Sequence, residues 1–109
     1  MGGYLIVESR EPFGSRDVER MWDLAEQLAK AGDEVTVFLV QNGVLPVRTT
    51  SAAASRLAGL AGRVRVLADE FSLRERAIRS EELVAGVRVS NVDELVDLML
   101  AEGTKVIWH

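Results

Sequence analysis

Asp69 and Glu70 are adjacent carboxylates set between an apolar run and a charged one, in a chain of 109 residues that has no cysteine. Asp69 could offer its carboxylate to a cationic group of a ligand or partner. The commoner use of such a residue is to cap a helix by accepting backbone N–H bonds. Glu70 suits the positive end of the same helix in either case. Two neighbouring carboxylates become an acid/base pair only when geometry and titration separate their roles. Arg74, Arg76 and Arg79, with Ser80 after them, give a basic helix end that could meet an anion or an acidic subunit, or simply be solvated. Gln41, Asn42 and Gly43 could line a pocket mouth, although such a triplet is more often a turn in which glycine supplies positive φ.

The run SREPFGSR at residues 9–16 ends in Ser15 and Arg16 and could set an anion against the start of the next helix. It matches neither GxGxxG nor GxxxxGK[ST], and a plain connecting loop is the commoner reading. Trp108 would either anchor a subunit interface or close the core of an edge strand. His109 is the only histidine, and one imidazole without further ligands is a poor metal site. No role is assigned to it, and no metal or cofactor is expected.

Composition excludes several classes of function. Apolar residues make up 48% and charged residues 28%, as in a folded globular protein, and the length fits one domain over residues 1–109. A net charge of −4 argues against nucleic acid, whose phosphates need a basic face. Nothing approaches the roughly 20 apolar residues of a membrane span. The start, MGGYLIVES, lacks a basic region before its apolar run and reads as a strand, which makes the cytoplasm the default location. Without cysteine there are no disulfides and no thiolate nucleophile.

These groups are positioned by alternating strands and helices. YLIVE at 4–8, EVTVFLV at 34–40, 63–68 and KVIW at 105–108 are apolar, strand-length runs, and VRV at 87–89 is a shorter candidate. Val18, Met21, Trp22, Ala25, Leu28 and Ala29 form a helical stripe, capped by Ser15 or Asp17 and stopped by Gly32. Pro46 is expected to hold the next stretch as a loop. Thr50 or Ser51 would then cap the small-residue helix SAAASRLAGLAG. A further helix runs from Asp69 to about Arg79, with Leu73, Ala77 and Phe71 or Ile78 available for burial. Asn91 caps the last helix, whose Val92, Leu95, Val96, Met99 and Leu100 repeat at helical spacing before Gly103. Strands joined by helical crossovers imply an α/β three-layer, flavodoxin-like sandwich with a mostly parallel sheet of about five strands. Ligands of such sheets gather beyond the carboxyl ends of the strands, which singles out residues 9–17, 41–47 and 69–72.

The layout VRVLADEFSLRERAI at 64–78, together with VFLVQNGV at 37–44 and the closing VDELVDLMLAEGTKVIW, resembles the DsrE-like (DsrE/DsrF, TusD-type) sulfurtransferase superfamily. The resemblance implies a sulfur-relay or sulfur-oxidation setting and assembly into trimers, hexamers or mixed complexes with related subunits. In that family a cysteine stands at the end of the third strand and the following helix closes on an Arg-Gly-Ile/Val-like turn. Here Asp69 holds the cysteine's place and Arg76, Ala77 and Ile78 form the close. A carboxylate cannot hold sulfane sulfur, so the chain is similar to members that serve as non-catalytic or regulatory subunits. The alternative is a small-molecule or anion binder using the loops at the strand ends. An enzyme would have to use Asp69 or Glu70 with an outside nucleophile.

Overall fold

Apolar strand-length runs give every strand of the computed structural model, which describes residues 3–109. The strands are β1 (Gly3–Glu8), β2 (Glu34–Leu39), β3 (Arg65–Asp69), β4 (Val87–Ser90) and β5 (Thr104–Trp108). The helices between them are α1 (Asp17–Lys30), α2 (Ala54–Ala61), α3 (Glu70–Glu75) and α4 (Val92–Leu100). All strand pairs are parallel and the order is β4-β3-β2-β1-β5. The chain therefore steps outward from β1 to β4, then returns across the sheet to place β5 on the other side of β1. Because such crossovers are right-handed, reversing direction moves the connecting helix to the opposite face. Accordingly α1, α2 and α3 pack on one face, where Ile6, Trp22, Val37, Leu57 and Leu73 share a core. On the other face α4 alone meets Leu5, Val7, Phe38 and Leu67.

The three-layer, parallel, five-stranded expectation holds, and VRV proves to be the start of β4. Several local expectations do not. α1 is entered from Arg16, itself helical at φ −68°, with no side-chain cap, so neither Ser15 nor Asp17 caps it. The turn before it is closed by Glu11 instead, whose carboxylate accepts the N–H groups of Phe13 and Gly14. α2 starts three residues later than Ser51, whose hydroxyl is committed to the Pro46 carbonyl at 2.8 Å and cannot cap. Residues Gln41–Val47 form a 3₁₀ helix with Pro46 inside it, where an irregular loop was expected. α3 is about half the expected length because Ala77 turns left-handed at φ 54°. The Ile78 N–H then reaches back to the Leu73 carbonyl at 2.9 Å, the closure a helix-ending glycine usually provides. Leu73 and Ile78 are buried there, whereas Phe71 is exposed.

The larger surprise is α4. Its predicted stripe exists, yet only Leu95 is buried and Leu98 partly so, while Val92, Val96, Met99 and Leu100 are exposed. Glu94 hydrogen-bonds the Ser90 hydroxyl and lies 3.2 Å from Arg88, both on β4. Successive helical residues turn by about 100°. With Leu95 and Leu98 on the sheet and Glu94 toward β4, the flank carrying Val92, Val96 and Met99 must face β5. In β5, Val106 and Trp108 pair with Leu5 and Val7 and so point to the same side of the sheet as α4. They are exposed as well, Trp108 by 60%, which removes it from the core. One nine-residue helix is too narrow to cover five strands, and an open apolar corner remains between α4 and the edge strand.

Candidate functional site

Beyond the carboxyl ends of β2 and β3, Asp69, Gln41, Asn42 and Arg76, all singled out in the sequence, meet. Asp69 ends β3 in extended conformation and its Oδ2 accepts both the backbone N–H of Ser72 at 2.9 Å and the Ser72 hydroxyl at 2.8 Å. The Ser72 hydroxyl oxygen in turn accepts the Gln41 N–H at 2.8 Å. Arg76 donates to the Asn42 side-chain oxygen at 3.1 and 3.3 Å and to the Ser72 carbonyl at 3.2 Å. The turn after β2 and the turn after β3 are thus sewn together by side chains from separate parts of the sequence. Asp69 is only 9% exposed and both its contacts are local, so its carboxylate is committed to capping α3. Asp69→Asn keeps an acceptor and should change stability by about a few tenths of a kcal/mol in urea unfolding, whereas Asp69→Ala should cost about 1 to 2 kcal/mol.

Positive φ falls on Gln41, at 52°, and not on Gly43. Gly43 is required for another reason: a Cβ there would collide with the Glu8 carbonyl oxygen and come within 3.0 Å of its carbon. The basic helix end expected from Arg74, Arg76 and Arg79 is dispersed. Arg76 is used on Asn42, Arg79 lies 3.6 Å from Glu82, and only Arg74, exposed, has no ion pair among the described residues. Glu70 is likewise exposed. Ser15 and Arg16 sit on the β1–α1 loop and make no hydrogen bond to this cluster among the described residues.

The most constrained charged group escaped the sequence reading altogether. Glu8, the last residue of β1, is 0% exposed, and both its carboxylate oxygens lie against Nδ1 of His109, at 2.9 and 2.8 Å. The Arg10 N–H adds a third contact at 3.1 Å. Burial pushes the Glu8 carboxyl above the ordinary glutamate value, and the bond from Arg10 and the nearby imidazole offset only part of that rise. His109 is fixed by its backbone too: its N–H donates to the Val7 carbonyl, and its carbonyl accepts both the N–H and the hydroxyl of Ser9. Periodicity could not have paired residues 101 apart.

No group of three or more His, Cys, Asp or Glu side chains suited to a metal occurs among the described residues. No helix there is long and apolar enough to cross a membrane. A cavity of about 410 Å³ lies at the amino ends of the strands, among Tyr4, Asp33, Thr36, Arg63 and Arg65, opposite the strand-end loops.

A family model, the DsrE/DsrF-like family, matches residues 3–108. Among solved structures, the YchN protein from E. coli is similar at a TM-score of 0.88 and 22% identity, with 100% of each chain covered. MTH1491 from Methanobacterium thermoautotrophicum, described as of unknown function, is similar at a TM-score of 0.81 and 22% identity, covering 98% of this chain and 99% of that one. No curated protein matches.

Proposed function

Since the chain belongs to the DsrE/DsrF-like family, which is related to sulfur relay, we propose that it acts there as a non-catalytic subunit, assembling with itself as a trimer or hexamer or with related sulfur-relay subunits. The observation that carries this reading is the apolar corner between α4 and β5. Val96 at 46% exposure, Leu100 at 78% and Trp108 at 60% lie with Val92, Met99 and Val106 on one side of the sheet. Together they offer on the order of 500 Å² of apolar surface, near the upper end of what monomers expose and over half of the ~800 Å² each partner gives a standard interface. The carboxylate of Asp69, at the position the resemblance equates with the family's thiol, is committed to its helix and so supports a role other than sulfur carriage.

Sedimentation and native mass spectrometry of the untagged protein test the proposal. The expected result is a trimer, a hexamer or a mixed complex. Replacing Val96 by Lys and Trp108 by Ser together should weaken association about 100-fold while circular dichroism stays unchanged, since neither side chain is in the core. A wild-type monomer carrying a small molecule through purification would sink the proposal in favour of a ligand binder working through residues 9–17 and 41–47.

A further inference from the structure

We propose that the Glu8–His109 pair is a proton-accepting site for a thiol supplied by a partner molecule, with Nε2 of His109 as the accepting atom and Glu8 as its positioning residue. With the carboxylate against Nδ1, the N–H of that nitrogen is the donor, which leaves the lone pair of a neutral ring on Nε2. No hydrogen bond within the chain occupies Nε2 among the described residues. The ring is rigidly aimed, because β5 ends on the Val7 carbonyl and the His109 carbonyl is held twice by Ser9. A clamp between β1 and β5 does not by itself call for this chemistry. A fully buried carboxylate is costly, and a well-packed apolar residue would hold two parallel strands as firmly.

The pair also stands at the topological position where sheets of this kind take ligands. The chain leaves β1 over one face through α1 and reaches β5 over the other through α4, so the pair lies at the carboxyl side of the point where the strand order reverses. That crevice is where open parallel sheets take their ligands. A thiol is the biological nucleophile that an imidazole ionises outright, because both titrate near neutral pH. This chain contains no thiol, so the group must come from outside. In the step, the S–H bond breaks, its electron pair stays on sulfur, and the proton forms a bond to Nε2. The resulting imidazolium is stabilised by Glu8, against which its Nδ1 already lies. The inference rests on the subunit reading only for the source of the thiol.

Because His109 is the only histidine, one labelled imidazole reports the whole test. Nitrogen NMR at neutral pH should show the Nδ1–H tautomer. With glutathione as the thiol probe and an aromatic disulfide as its acceptor, the protein should accelerate exchange. His109→Gln and Glu8→Gln should each lower that acceleration at least 10-fold, and the wild-type pH profile should break where the imidazole signal titrates. An Nε2–H tautomer, no acceleration, or acceleration that survives both substitutions would overturn the proposal. The tautomer is read on the wild-type protein, so a variant that folds poorly does not blunt the test. Oligomer mass in the same samples is an independent reading: a monomer that still accelerates exchange would cost the subunit proposal alone.

Discussion

Trp22→Ala is expected to remove about 3 to 5 kcal/mol of stability, the largest effect of any single truncation in this chain. Trp22 is 1% exposed beneath α1 and is the largest side chain in the core that the helix shares with the sheet. Its indole N–H has no partner among the described residues, so the ring's value lies in filled volume and area removed from water and not in a hydrogen bond. Domains of this size hold only about 5 to 15 kcal/mol in total, so the variant should be marginal at room temperature. Urea unfolding followed by circular dichroism measures it. A loss below about 1 kcal/mol would mean that α1 does not seat on the sheet as described.

Gly43→Ala should cost about 3 kcal/mol, for steric and not conformational reasons. The new methyl would enter the space of the Glu8 carbonyl, which already accepts the Val40 N–H at 3.0 Å, and both groups are backbone that cannot rotate away. The collision would also press on the residue whose side chain holds His109. Gly59→Ala is the internal control. Position 59 lies inside α2 with open space where a Cβ would stand, so alanine there should be neutral or stabilising by up to about 1 kcal/mol. Equal melting temperatures for the two variants would refute the close approach at Gly43.

What could be read from sequence tracks the range over which the deciding interaction acts. The strands were legible because each is a short apolar run, and Asp69 and Asn91 were legible as caps because each bonds a backbone N–H three residues on. Ser51 and Ser15 offered the same signal without the role, since entry into α1 and α2 is settled by the turns that precede them. Ala77 disguised the end of α3, because nothing in an alanine announces a left-handed residue. The stripe of α4 was read correctly as apolar, but periodicity does not say whether such a face meets the sheet or points past its edge. Glu8 and His109 became a pair only through the register of β1 on β5.

That register also orders events in time. β1 pairs with β2 directly after one crossover, yet its other edge waits for β5, whose end bonds Ser9 from 100 positions downstream. On the ribosome, where domains begin to form as they emerge, β1 would stand as an open, apolar edge until β5 has emerged. Completion of the sheet is therefore a late, non-local step that closes a loop spanning the whole sheet, and it sets a slow limit on folding. The nascent chain is most exposed to wrong pairing in the interval between the emergence of β1 and that of β5.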